Sequence, residues 1–468
     1  MLLISALDMM TRRTFMTSTT AAATAASLSA VPTKKPNIVF ILCDDLGYGD
    51  LGCYGSSIRT PNLDRLASEG IRCTNFDSAD PVCSPSRAAL LTGRYPTRVG
   101  VPRVLFPQDQ GGLDVGETTL ANVAKGQGFK TACFGKWHLG RPDQYLPTSR
   151  GFDHYFGIPY SNDMNPRSLL EGTKVVEEPA NLETLTQRYT EHAVEFIRES
   201  AGAPFFLYLP HTFPHIPLAA STRFRGKSAE GLYGDVVEEL DWSVGEVLAE
   251  LKRRGLERDT VVMFSSDNGP WYQGSPGKLR GRKATTYEGG VREPFIARWP
   301  GRIPAGGVSG AVLSMLDVFP TLTKLIGGSL PAKPLDGIDI WPILSGQQKS
   351  IEREALLYFD NWDLQCARWN SWKLHVARHN SGAYSPAPAG GRHNYVLPRP
   401  ELYNLAADPQ ESYDVAPEHP EIVTEIQQRI EKLLAGFPAS VQQAYAESKA
   451  RKVDPATPTG ARPRPLAN

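Results

Sequence analysis

The stretch NIVFILC, Asn37–Cys43, is a continuous apolar run that passes directly into Asp44-Asp45. A strand with one wet face alternates apolar and polar residues; a run without alternation is expected where both faces are covered. Three more runs follow the same rule. Lys130–Phe134 (KTACF) enters Gly135-Lys136-Trp137-His138, Pro204–Leu209 (PFFLYL) enters His211, and Thr260–Phe264 (TVVMF) enters Asp267-Asn268-Gly269. Helical patterns lie between them. Thr60 and Pro61 open a helix that stops at Gly70. Residues 233–254 place Val237, Leu240, Val244, Val247, Leu248 and Leu251 on one face. This alternation predicts an α/β fold with a mostly parallel sheet flanked by helices. Ligands of such sheets bind beyond the carboxyl ends of the strands. Four strand ends carrying carboxylates, cations or imidazoles therefore mark a candidate site.

The chain has 468 residues, 50 Lys and Arg against 50 Asp and Glu. A nucleic-acid binder carries a basic excess and an acidic solvating tail the opposite, so neither class is expected. Hydrophobic residues make up 41% and charged residues 21%, which excludes wholesale disorder. The length allows about three domains and a sizeable core.

Residues 1–30 differ from the rest. Arg12-Arg13 precede an Ala/Ser/Thr-rich segment that carries no charge before Lys34. This predicts a twin-arginine-like export signal, and Thr and Ser dilute the apolar run too much for a membrane anchor. Export predicts a periplasmic or extracellular location. Removing 1–30 takes away Arg12, Arg13 and Asp8, leaving 48 basic and 49 acidic residues. No Asn-x-Ser/Thr sequon occurs, which favours a bacterial source. The six cysteines, at 43, 53, 73, 83, 133 and 366, contain no C-x-x-C. Their pairing is left open.

The strand-end groups suggest a hard cation. Asp44, Asp45, Asp267 and Asn268 offer oxygen only, which suits calcium or magnesium better than zinc. Two adjacent aspartates repel unless a cation or proton relieves them. The most informative stretch is Cys83–Gly93, CSPSRAALLTG. It reads as a turn into a short helix, with Cys83 near the anion-favouring N-terminus, Arg87 one turn in, and Gly93 at the end.

That stretch resembles the signature C-x-P-S-R…L-T-G of type I, formylglycine-dependent sulfatases. Pro36–Tyr54, Gly135–Gly140 (GKWHLG), Gly151–Asp163, Ser266–Pro270 (SDNGP), Thr285–Pro294 (TTYEGGVREP) and Leu402–Asp408 resemble further blocks of that family, in its order. Ile158–Ser161 is similar to the arylsulfatase A branch. The resemblance implies an alkaline-phosphatase-like main sheet and a smaller C-terminal α+β subdomain with an antiparallel sheet. It also implies hydrolysis of a sulfate monoester, on an aryl group or a sulfated carbohydrate.

Residue by residue, the resemblance implies that Cys83 is converted by a formylglycine-generating enzyme to 3-oxoalanine, whose hydrate attacks sulfur. Asp44, Asp45, Asp267 and Asn268, with residue 83, would hold the metal, Ca2+ or alternatively Mg2+. Arg87 would hold the hydrate, and His138 would take its proton. Lys136, Lys283 and Ser161 would bind sulfate. His211 would contact sulfate and help the alcohol leave. The family pattern leads one to expect glycine where Arg282 stands, and Lys283 is favoured over it as the sulfate ligand. His215 could line a substrate subsite, whereas His154, His192, His375, His379, His393 and His419 read as surface or structural. Trp271-Tyr272, directly after the metal loop, could stack against a sugar or aryl group.

The expected organisation is a signal at 1–30, a catalytic domain at 36–345, a C-terminal subdomain at 346–445 and a mobile tail at 446–468. A phosphatase or phosphonate hydrolase on the same fold is the competing enzyme class, although the extra Asp/His ligands and Ser/Thr nucleophile of a two-zinc phosphatase are lacking. A non-enzymatic binder of sulfated glycans is the third reading. The sequence points to no nucleic-acid partner.

Overall fold

The computed structural model describes residues 35–450, apart from residue 201 and residues 380–393. The expected export signal and the expected tail beyond residue 450 lie outside the described residues; residues 446–450 belong to a helix, Ala439–Ala450.

Among the described residues a large sheet holds eleven strands. In chain order they are β1 Asn37–Cys43, β2 Ile71–Asp77, β3 Lys130–Phe134, β4 His154–Gly157, β5 Leu169–Glu171, β6 Lys174–Glu177, β7 Phe205–Pro210, β8 Thr260–Ser266, β9 Arg292–Arg298, β10 Gly307–Ser309 and β11 Leu313–Ser314. Their spatial order is β10-β2-β9-β8-β1-β7-β3-β4-β5-β6, with β11 beside β2. The centre, β8-β1-β7-β3-β4, is parallel. Strands β9, β5 and β6 pair antiparallel with their neighbours.

The apolar run that begins the chain's first strand is buried on both sides. Ile38, Phe40 and Leu42 enter one core, and Val39, Ile41 and Cys43 enter the other. Side chains alternate across a strand, so every second residue feeds each layer. Helix Gly231–Arg253 covers the second face with Val237, Leu240, Val244, Val247, Leu248 and Leu251. Helix Pro61–Ser68 starts at the expected Thr60-Pro61 and packs on the same layer through Leu63 and Leu66. Asp241 accepts from the Asn62 and Leu63 N–H groups, satisfying two donors that a helix start leaves open.

A separate antiparallel sheet follows: β12 Leu356–Asp360, β13 Asp363–Trp369, β14 Trp372–His379 and β15 Asn394–Asn404, in that order. Its core, including Leu357, Phe359, Leu374 and Leu402, also takes in Ile426, Ile430 and Leu434 of helix Pro420–Leu434. All six cysteines are free thiols. No described helix is long and apolar enough to cross a membrane.

Candidate active site

Four loops at the carboxyl ends of β1, β3, β7 and β8 converge on the start of helix Cys83–Thr92. Val82 is extended, the chain turns helical at Cys83, and Gly93 ends the helix at φ 68. Phe319 crowds the Cα of Gly93, so a side chain there would be both strained and obstructed. The Cys83 thiol lies at the first helical residue, where unpaired N–H groups favour negative charge. Its Sγ is 3.4 Å from Asp44 Oδ1, 4.0 Å from Asp45 Oδ1 and 3.2 Å from Lys283 Nζ.

Three cations face three carboxylates. Lys136 Nζ donates to Asp44 Oδ2 at 2.6 Å and to Ser161 Oγ at 3.1 Å. Lys283 Nζ is 2.7 Å from Asp45 Oδ1. Arg87 reaches Asp267 Oδ2 through Nε and Nη2, at 2.9 and 2.8 Å, and gives Nη1 to the Lys136 carbonyl. All six groups are buried. Burial pushes the Asp44 carboxyl up, but Lys136, His215, Arg87 and Lys283 outweigh it and hold Asp44 well below the usual range. Asp267 goes the other way, raised by burial and then by the charge of Asp44. Burial also raises the Cys83 thiol, against the pull of Lys136 and Lys283. An unmodified thiol there stays protonated, so residue 83 is a poor thiolate nucleophile as cysteine.

The backbone is bent to make these meetings possible. A side chain on Gly135 would lie 1.8 Å from the Pro210 carbonyl oxygen, and only its absence lets the β3 and β7 loops touch. Asp45, His138 and Ala284 adopt φ values of 65, 61 and 62. Such left-handed non-glycine residues cost about 1–3 kcal/mol each and collect at functional sites.

The donor set fits a hard cation. The Asn268 amide gives Nδ2 to Asp45 Oδ1 at 2.8 Å, and its Oδ1 is buried with no protein partner. Asp267 Oδ1 accepts the Asp45 N–H. Ligand atoms of Asp44, Asp45, Cys83 and His215 lie within 4.8 Å of one another. An orphaned amide oxygen among three carboxylates is the surrounding a calcium or magnesium ion takes.

The histidines separate by their partners. His138 Nε2 lies 2.9 Å from the Leu105 carbonyl, which only accepts, so Nε2 carries the proton. Its Nδ1 is buried without a protein partner. Burial, then Lys136 and Arg87, holds this ring well below the usual range, hence neutral. His211 is not brought into the cluster. The chain leaves β7 with the His211 N–H on the Leu42 carbonyl, and the ring turns to Ser243 Oγ of helix Gly231–Arg253, 3.2 Å from Nε2. Burial lowers it to about 3. His215, read from sequence as a possible subsite residue, takes the place at the centre. Its Nε2 is 3.3 Å from Ser161 Oγ and 3.6 Å from Asp45 Oδ2, while Nδ1 meets the Ile216 carbonyl. Both imidazoles follow the same strand, and the H-x-x-x-H spacing alone does not decide between them.

Arg282 and Lys283 also separate. Arg282 Nη1 donates to the carbonyls of Trp271 and Gly274, tying down the loop after Asp267-Asn268, while Lys283 enters the cluster. Tyr272 is 65% exposed and stands edge-on to Trp271, centroids 5.1 Å apart. His154 is exposed, His192 lies half-buried on Phe156 and His419 half-buried on Trp372, and His375 is buried in the C-terminal sheet.

Comparison with known proteins gives the chain its relatives. Residues 36–328 match the family model described as Sulfatase, and residues 351–462 match that of the C-terminal region of aryl-sulfatase. The chain is 38% identical to arylsulfatase A of Homo sapiens, over 92% of this chain and 94% of that protein. It is 41% identical to N-acetylgalactosamine-6-sulfatase of Rattus norvegicus, over 75% of this chain and 73% of that protein. Among solved structures, a sulfatase from Pseudoalteromonas sp. superposes with a TM-score of 0.78 at 29% identity, covering 88% of this chain and 91% of that one.

Proposed function

We propose, from the premise that this chain belongs to the sulfatase family and is a sulfuric ester hydrolase acting on aryl or sugar sulfates, that its reaction centre is residue 83. The observation that carries this is the buried Cys83 side chain, at a helix start, among Asp44, Asp45, Lys136, Arg87 and Lys283. In this reading Cys83 is converted to 3-oxoalanine, and Asp44, Asp45, Asp267 and Asn268 hold Ca2+ or Mg2+. With both groups in place the site gains an oxygen nucleophile and a Lewis acid.

The chain's own groups do the rest. Lys136 and Ser161 form a donor pair on one side of the sulfate, and Lys283 forms the other. Held in place before the reaction, they stabilise charge at little reorganisation cost. Arg87, locked onto Asp267 and the Lys136 carbonyl, keeps residue 83 and the Lys136 loop in register. His138 presents the bare Nδ1 of a neutral ring and can accept a proton from residue 83. His215, whose Nδ1–H is held by a carbonyl, turns Nε2 toward Ser161 and Asp45 and, once a second proton sits on Nε2, can pass that proton to the departing alcohol. His215 thus takes the role that the resemblance assigned to His211. Trp271 and Tyr272 form a rim against which a sugar or aryl ring packs. The N-terminal segment supports export, and the absence of sequons supports a bacterial source.

Hydrolysis of 4-nitrophenyl sulfate, together with mass spectrometry of the residue 83 peptide, tests the reading. Turnover that rises with the fraction of 3-oxoalanine supports it. Full turnover by a wholly unmodified cysteine, or faster turnover of the matched phosphate ester, would sink it.

A further inference from the structure

Glu411 stands apart from every other buried carboxylate of the C-terminal region. It follows β15, is buried, and has φ 51. Asp45, His138 and Ala284 at the reaction centre share that conformation, as do two asparagines, Asn361 and Asn370, that lie between strands of the C-terminal sheet. A strained glutamate is retained only where its surroundings over-determine it. The Glu411 carbonyl accepts Arg280 Nη1 at 2.7 Å, and its Oε2 accepts the Glu288 N–H at 2.6 Å. Oε1 meets His375 Nε2 at 2.8 Å, with Lys373 Nζ at 3.5 Å. His375 and Lys373 belong to β14, and Lys373 also pairs with Glu288 Oε1 at 2.8 Å.

Arg280 and Glu288 are the two ends of the loop that carries Lys283. One residue of the C-terminal region therefore gathers both ends. The loop is closed again by Gly289 N–H on the Arg280 carbonyl, and Arg280 lies 4.0 Å over the Tyr287 ring. Between these anchors the Lys283 N–H meets the Pro270 carbonyl and the Ala284 N–H meets Pro81, two residues before Cys83. Thr286 Oγ1 donates to Gln365 of β13. Arg282, through the Trp271 and Gly274 carbonyls, anchors the middle of the loop within the main sheet's side of the fold, and Glu411 anchors its two ends to the C-terminal sheet.

We propose that Glu411 is a positioning residue for Lys283: the C-terminal sheet, through Glu411, His375 and Lys373, sets where the Lys283 ammonium meets the substrate. The inference rests on Lys283 serving the reaction centre as proposed above. Glu411→Gln keeps size and acceptor capacity at one oxygen but weakens the grip on His375 and Lys373. His375→Phe, which keeps a ring against Tyr287, is the gentler second variant.

A double-mutant cycle on the matured enzyme with 4-nitrophenyl sulfate tests it, with the inhibition constant of inorganic sulfate as a second readout. Glu411→Gln alone should lower kcat/KM about tenfold and weaken sulfate inhibition, and His375→Phe should do the same to a smaller degree. In a Lys283→Ala background each should change kcat/KM by less than about twofold, because contacting groups couple and independent ones add. Losses that are the same in both backgrounds would overturn the proposal. So would a fall in melting temperature alone, with unchanged kinetics at a temperature where all variants are folded. If Lys283→Ala itself leaves turnover and sulfate inhibition intact, the assignment of Lys283 fails first, and this inference with it.

Discussion

Exchanging the two imidazoles that follow β7 separates position from proximity in sequence. In His215→Asn a proton donor leaves the centre, but its neighbours keep other partners. Ser161 is still held by Lys136, and Asp45 by Lys283 and Asn268. The loss is therefore mainly that of proton transfer, about 10²–10⁴ in rate. At about 1.36 kcal/mol per decade, that is about 3–5 kcal/mol of barrier. It should fall on kcat, and weigh more on a sugar sulfate than on 4-nitrophenyl sulfate, whose leaving group needs less protonation. In His211→Asn the contact with Ser243 and the ring packing on Tyr189 are disturbed, of which the buried hydrogen bond is worth about 1–3 kcal/mol of stability when one partner is stranded. Steady-state kinetics on both substrates, with thermal unfolding of each variant, make the comparison. A hundredfold loss of kcat in His211→Asn beside wild-type kcat in His215→Asn would refute the reasoning from ring placement.

Three further outcomes are expected. Chelation should abolish turnover and added Ca2+ or Mg2+ should restore it, with Asn268→Ala raising the metal concentration for half-restoration; chelator-resistant activity would contradict the metal assignment. Trp271→Ala should raise KM for a sulfated sugar far more than for 4-nitrophenyl sulfate, and an unchanged KM for the sugar would remove the stacking role. The pH dependence of stability should carry the mark of His211. Its folded-state pKa, about 3, lies below the unfolded value of about 6.5, so the unfolded chain binds the extra proton. The neutral ring's contribution is full above about 6.5 and drains as pH falls toward 3, so wild type and His211→Asn should converge in denaturant midpoint at acid pH. A constant gap between pH 7 and 4 would contradict this.

The parts of the molecule that were legible in sequence share a cause. Ile38 to Leu42 are apolar without alternation because two cores need them, and Cys83 to Gly93 is local in sequence, with its helix, cation and terminator in one turn-by-turn pattern. Strands β4, β5 and β6 are only three or four residues long, β5 and β6 carry charged ends, and β9 begins with Arg292-Glu293, so none shows a periodicity that sets it apart from a loop. The two imidazoles are not told apart in sequence for a related reason: both follow β7 four residues apart, and only the partners they meet, Ser243 for His211 and Ser161 with Asp45 for His215, separate them. The reach of Glu411 to Glu288 and Arg280 was invisible because more than a hundred residues separate the partners and each looks like an ordinary surface charge.

The burial of helix Cys83–Thr92 has a consequence for the order of events in the life of the chain. All ten of its residues are shielded, and Cys83 itself is 2% exposed. A modifying enzyme must surround the residue it oxidises, and the closed fold leaves it nothing to grasp. On the proposal that residue 83 is converted to 3-oxoalanine, conversion and closure of the core compete for the same segment. Whichever is faster sets the yield of competent enzyme, so slowing folding should raise the converted fraction. Folded, unmodified protein offered to a formylglycine-generating enzyme should stay unconverted, whereas an unfolded peptide spanning the helix should be oxidised. Equal conversion of both would mean that the helix opens far more readily than its packing implies. On that proposal maturation is a matter of timing, written into the depth at which one side chain is stored.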